Sequence, residues 1–274
     1  MDGTYELLIK PRRGWQAVDW REVFLHRELL GFLVWRDIKI RYRQTLLGVV
    51  WAVLQPLLAM VIFTFVFHGM AGLKTDGPPY SLFVFAGLAP WIFFSNGVST
   101  ASNSLVTNQQ LVSKIYFPRI FIPVGSVLAF LVDLGISLLL QFCLMLKYHW
   151  APNEHVLLLP IFILAALLAA SGLGLAFSAL NVNFRDVKYA IPFLIQMGLF
   201  VTPVIYPVSY LPRRLQPFLA LNPMTGVVMG FRWALLGTAM DWRSVSISLL
   251  VSVVLFAVGL LIFRRMERRF ADII

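Results

Sequence analysis

Two charged side chains stand alone in apolar surroundings in this chain. Asp133 interrupts "FLVDLGISLLLQFCLML", and Arg232 sits within "NPMTGVVMGFRWALLG". A third grouping, Arg185, Asp186 and Lys188 in "NVNFRDVKYAIP", concentrates charge between two apolar stretches. None of the three has the spacing of a catalytic centre. His26, His68, His149 and His155 form no His-Glu-x-x-His pattern, and the chain has neither a phosphate loop nor any Gly-Lys dipeptide, so it shows no sign of hydrolysing ATP. Its one cysteine, Cys143, excludes an intrachain disulfide and a cysteine metal cluster; within its apolar run it reads as a small buried thiol. Catalytic, cofactor-binding and metal-ligating residues are therefore all expected to be absent.

Asp133 ionised at mid-bilayer costs about 2.5 to 3.5 kcal/mol on insertion scales, so it must face the protein interior or water. A structural partner within the bundle is the favoured reading; a polar pathway and proton coupling are the alternatives. Arg232 needs water, a partner or a substrate anion for the same reason.

The elements that hold these residues follow from the composition. Of 274 residues, 59% are hydrophobic and only 13% charged, with a mean hydropathy of +0.79; soluble domains carry about 25% charged residues. The expectation is an all-α integral membrane protein of six spans, about 47–67, 80–101, 120–146, 156–180, 189–208 and 244–263, with a cytoplasmic segment 1–43 and a tail 264–274. Pro56 in the first span is tolerable in a membrane helix. The fourth span, rich in Ala and Gly, suits close helix packing. The N-terminus has no short apolar core with a small-residue cleavage site, so no removable signal peptide is expected. The net charge of +10 reads as membrane orientation and not as nucleic-acid binding: seventeen of the 23 basic residues fall on the side of both termini and six on the other. By the positive-inside rule both termini are cytoplasmic, and so is "FRDVK".

Three segments outside the spans carry information. Before the first span, "VWRDIKIRYRQ" puts Arg36, Lys39 and Arg43 on one helical face and Val34, Ile38 and Tyr42 on another, which suits an interfacial helix; a basic flank that only fixes topology is the plainer alternative. Residues 103–119 place Leu105, Val112, Ile115 and Tyr116 at helical spacing before Pro118, either a short amphipathic cytoplasmic helix or the wet end of the second span. Residues 209–243 are too long and apolar for a plain loop. After Asn222 and Pro223 they are helix-like but too short to span, which suggests a re-entrant or interfacial element. Aromatics are numerous, with 23 Phe, 8 Trp and 8 Tyr. Packing and interfacial belts explain most of them; the functional alternative is stacking on the C–H faces of sugar rings.

The blocks "YRQTLLGVVWAVLQPLLAMVIFTFVF", "FAGLAPWIFFSNGVSTASNSLVTNQQLVSKIYFPR", "NVNFRDVKYAIPFLIQMGLFVTPVIYP" and "LNPMTGVVMGFRWALLG", in that order over about residues 36–240, resemble the permease subunit of type 2 ABC transporters that export O-antigen, related polysaccharides and teichoic acids. The resemblance implies six spans per permease, a homodimer, two separate ATPase subunits that bind ATP and Mg, and an undecaprenyl-linked polysaccharide, O-antigen in the leading reading, crossing the bacterial inner membrane. Teichoic acid or capsular polymer is the competing substrate within the family. A membrane-embedded enzyme on lipid-linked sugars or an ion-coupled transporter is the distant alternative, and needs more intramembrane ionisable groups than Asp133. The resemblance further implies that Gln109, Lys114, Arg119, Arg185, Asp186 and Lys188 touch the ATPase, and that the helix of Arg36, Lys39 and Arg43 makes a third contact. Trp51, Phe63, Phe67, Trp91, Phe94, Phe200 and Tyr206 are the glycan-path candidates, and Asn222, Pro223 and Arg232 the outer gate.

Overall fold

The computed structural model describes residues 24–43, 48–75, 77–114, 117–184, 186–212, 214–267 and 270. Among these every regular element is helical: α1 (Arg27–Arg43), α2 (Gly48–Phe63) continuing into a π-helical turn (Thr64–Met70), α3 (Tyr80–Thr107), α4 (Gln109–Lys114), α5 (Phe121–Ala129), α6 (Leu131–Lys147), α7 (Leu159–Asn183), α8 (Val187–Val201), α9 (Gln216–Leu219), α10 (Pro223–Leu236) and α11 (Trp242–Glu267). Five stretches are long and apolar enough to cross a membrane: Val50–Met70, Tyr80–Thr107, Phe121–Lys147, Glu154–Asn183 and Trp242–Glu267.

The fifth expected span departs from this pattern. Instead of twenty residues, α8 has 15 and stops at Val201, about 22 Å of helix against a hydrocarbon core of about 30 Å. Thr202 is extended (φ −81°, ψ 135°) because Pro203 disfavours helix in the residue before it. The six expected spans appear as five stretches long enough to cross a membrane and one shorter apolar helix, Val187–Val201.

The second span runs further than expected, to Thr107. Its polar end does not unwind, because Ser102, Asn103, Ser104 and Thr107 donate to carbonyls three or four residues back, at 2.7 to 3.0 Å. The amphipathic helix placed over 103–119 therefore splits: its first residues end α3, and only Gln109–Lys114 make a helix of their own. Ile115 and Tyr116 lie outside the described residues. The third span also breaks, at Phe130 (φ −77°, ψ −7°), between α5 and α6.

α3 is the centre of the bundle, with twenty of its 28 residues buried. Pro90 sits within it, leaving one carbonyl without its helical amide partner. α7 packs along α3 on one side and α11 on the other. A Cβ on Gly172 would fall 2.5 Å from the Leu255 carbonyl oxygen, and one on Gly226 of α10 2.5 Å from Ser248 Cβ. Lipid gives no hydrophobic drive for helix association, so such close backbone contact supplies the attraction. A second cluster, of Leu33, Leu105, Val112, Phe117, Phe121, Leu175, Phe263 and Phe270, ties α1, α4, α5 and the ends of α3, α7 and α11 together.

Candidate functional site

One end of the bundle collects the charges. Asn181, buried near the end of α7, donates to the Ser102 carbonyl at 3.0 Å and to Asn103 Oδ1 at 3.1 Å on α3. That tie brings α4 and the turn after α7 to the same end. Gln109, Gln110, Ser113 and Lys114 of α4 are exposed, and Thr107, Asn108, Gln110, Leu111 and Lys114 line a shallow groove of about 380 Å³. Phe184, Asp186, Lys188 and Tyr189 are exposed beyond the turn, with Lys188 Nζ 4.8 Å from the Tyr189 ring centroid. Asp186 occupies the position before α8 without capping it, so its carboxylate faces outward. Arg185 lies outside the described residues. Arg119 differs from the others: it donates to the Glu267 carbonyl at 2.9 Å, closing the end of α11.

α1 is helical and docked on α5, with Leu33 buried and Gly125 facing Leu30, Leu33 and Val34. Lys39 and Arg43 are exposed, whereas Arg36 pairs with Asp37 at 2.9 Å. The docked face carries more than the apolar residues expected there. Asp37 accepts from Ser126 at 3.1 Å. Arg41 Nη1 meets Asp133 Oδ2 at 2.5 Å, Tyr42 donates to the same carboxylate, and the Arg41 guanidinium lies 3.4 Å from the centroid of Phe130. Asp133 therefore has its structural partner, on the helix that precedes the first span, and sits in the first turn of α6, near the middle of the stretch Phe121–Lys147. Burial, the hydrogen bond to Asp133 and the negative charge of that carboxylate all push the Tyr42 phenol above its ordinary value. A signal for this site existed: Leu29, Leu33, Asp37 and Arg41 recur every four residues, so the polar pair continues an apolar stripe.

At the opposite end α10 is a buried helix. Asn222 caps it, accepting from the Met224 amide at 3.0 Å and donating to Thr202 Oγ1 at 2.8 Å; Pro223 fills the first turn, where its missing N–H is no loss. Arg232 is 3% exposed. Its Nε donates to the Phe83 carbonyl at 3.1 Å, Nη1 to Pro203 at 2.7 Å and Nη2 to Val204 at 2.5 Å, and it lies 3.5 Å from the Phe83 ring centroid. Its partners are backbone carbonyls. Those of Pro203 and Val204 are free because α8 has ended, while Phe83 lies in the first turn of α3, so one guanidinium joins α10, α3 and the extended strip after α8. Gly87 leaves the room: a Cβ there would lie 2.8 Å from Nη2.

The aromatic candidates divide. Trp91 and Phe94 are buried, and Trp91 Cη2 packs where Gly198 of α8 has no side chain, so neither faces an open path in this protomer. Trp51 and Phe200 are more than half exposed on α2 and α8. Phe63 and Phe67 stack edge to face at 5.9 Å, and the Tyr206 hydroxyl donates to the Phe200 carbonyl at 2.9 Å. Cys143 is exposed, correcting the buried thiol expected; on α6 it shares a face with the exposed Leu139 and Leu146, opposite the buried Leu134, Ser137, Gln141 and Met145.

Comparison with known proteins completes the picture. The family model of ABC-2 type transporters matches residues 28–236. The O-antigen export system permease protein RfbA of Myxococcus xanthus is 34% identical over 216 residues, covering 77% of this chain and 82% of that protein. Its namesake from Klebsiella pneumoniae is 28% identical over 252 residues, or 90% and 95%. The polysialic acid transport protein KpsM of Escherichia coli is 22% identical over 234 residues, or 85% and 91%.

Proposed function

The chain belongs to the ABC-2 type transporter family, and we propose that it is the permease half of an ATP-driven exporter that carries a lipid-linked polysaccharide, O-antigen, across a bacterial inner membrane. The observation that carries this reading is the match to O-antigen export permeases along nearly their whole length. The polysialic acid transporter is the more distant relative, which favours O-antigen over a capsular polymer. In this reading the lipid carrier is undecaprenyl-linked, two copies of the chain form the path, and two separate ATPase subunits hold ATP and Mg.

The charged end is the surface for the motor. Gln109, Lys114, Asp186 and Lys188, together with Arg185, would meet it, because a stroke made in water must enter the membrane through rigid polar contacts. Arg119 would join them, with its Nη1 held by the end of α11. Both termini are then cytoplasmic, and α10 closes the outer side.

The test is reconstitution. Purified alone the chain should not turn over ATP; with a partner ATPase it should, in equal numbers of the two subunits, and lipid-linked glycan should move. ATPase activity from this chain by itself overturns the proposal.

A further inference from the structure

At the end of the bundle opposite the charged one, the π-helical turn, the loop after it, the start of α3 and the end of α6 surround a cavity of about 440 Å³. Its lining is mostly apolar surface but includes Thr64, His68, Lys74, Ser81 and Tyr148.

The Thr64 hydroxyl is buried and has no hydrogen-bond partner, although buried hydroxyls ordinarily find one. It opens the π-helical stretch Thr64–Met70, and π-helical turns gather at functional positions because the wider turn redirects side chains. His68 Nδ1 bonds the Leu73 carbonyl at 2.8 Å, which makes that nitrogen the donor, and the ring stacks on Tyr80 at 5.4 Å. Ser81 donates to the Tyr148 hydroxyl at 2.9 Å, leaving the Tyr148 proton free to be given elsewhere. The Lys74 amide donates to the Tyr210 hydroxyl at 3.1 Å and holds the loop in place, while the Lys74 side chain is exposed and has no ion-pair partner among the described residues.

The cavity thus offers one ammonium and the Tyr148 hydroxyl, and no carboxylate among its described lining residues. A metal cation finds no anionic ligand among the described lining residues, and a purely apolar ligand would leave the Lys74 ammonium and the Tyr148 hydroxyl unpaired. An oxyanion satisfies both of these donors at once, since charge-assisted hydrogen bonds are the strong ones. The volume exceeds one phosphate and admits the group that bears it. We propose that this cavity binds a phosphate group, carried on a membrane lipid headgroup or present as the free anion. The site is independent of the motor surface and of α10, and its occupancy is read without ATP or glycan.

The experiment uses the full-length chain, purified in a neutral detergent, with the thermal unfolding midpoint followed as phosphatidylglycerol, phosphatidylcholine, diacylglycerol or inorganic phosphate is added. The expected result is a saturable rise with phosphatidylglycerol, weakened about tenfold, or about 1.4 kcal/mol, in Lys74→Gln and in Tyr148→Phe, and retained in Lys74→Arg. A rise with inorganic phosphate alone, equally lost in Lys74→Gln, assigns the site to the free anion. An equal rise with the phosphate-free lipid diacylglycerol, or Lys74→Gln indistinguishable from wild type, overturns the proposal; an equal rise with phosphatidylcholine shows that the phosphate and not the net headgroup charge is read. Lys74 is exposed, so its variants test binding even if Tyr148→Phe folds poorly.

Discussion

Replacing Arg232 with methionine separates two roles that a buried arginine can have. The side chain is 3% exposed and gives three hydrogen bonds to backbone carbonyls of Phe83, Pro203 and Val204. A hydrogen bond to a charged group is worth about 1.5 to 3 kcal/mol in soluble proteins, while interhelical bonds in a membrane average about 0.6 kcal/mol. Three bonds between those limits give a loss of about 3 to 4 kcal/mol for Arg232→Met, with the Pro203 and Val204 carbonyls left bare. At about 2 to 4 °C per kcal/mol for a chain this long, the unfolding midpoint should fall by about 10 °C. Arg232→Lys should recover only part of that, since an ammonium lacks the planar fork that reaches carbonyls on two elements. The assay is the temperature at which the purified protein loses its monodisperse peak, read beside glycan export in the reconstituted complex. A midpoint within about 2 °C of wild type together with lost export would refute the clamp and make Arg232 a substrate ligand.

Other expectations are as direct. Asp133→Asn and Arg41→Met should each destabilise by about 1 to 2 kcal/mol, held below a fully buried pair by the remaining exposure of both side chains, and the double variant should cost less than the sum in a thermal double-mutant cycle. Because the raised Tyr42 phenol stays protonated in the folded chain, its stabilising share is intact below pH 10 and lost above it; the fall of the midpoint above pH 10 should be shallower in Tyr42→Phe. Gly259→Ala should abolish or severely reduce folded yield, because its Cβ would overlap the Gly172 carbonyl, while Gly135→Ala, with nothing near it, should be neutral or slightly stabilising in the same expression assay. Exchanging charge at Asp186 and Lys188 should leave insertion unchanged and uncouple the partner's ATP hydrolysis from export; unchanged coupling would make them topology residues only.

The helical class, the membrane and five of the spans were legible from apolar length alone, because a bilayer demands about twenty apolar residues wherever it is crossed. The fifth span was overread for the same reason. Residues 202–208 are as apolar as a helix, and only Pro203 and Pro207 mark that the chain has left one. The faces of the spans were not legible: in lipid both sides of a helix are apolar, so Trp91 and Phe94 could not be told from Trp51, nor Cys143 from a core thiol. Asp133 could be read as needing a partner, since an isolated carboxylate is costly there, but the identity of that partner depended on how α1 docks. Arg232 was read as needing something. That the something is backbone becomes visible only when the end of α8 is known.

α3 has 28 residues, about 42 Å of helix, and so projects beyond both edges of a core about 30 Å thick. One tip carries the Asn181 tie and α4; near the other, Phe83 meets Arg232 and Tyr80 donates to the Ile205 carbonyl at 2.8 Å. The two ends of the molecule are therefore fastened to a single lever. A tilt of about 5° at its middle displaces each tip by about 2 Å in opposite directions, close to the 1 to 2 Å helix shifts of switching proteins. Pro90, with one rung of hydrogen bonding missing beside it, is the fulcrum at which such a lever gives least resistance.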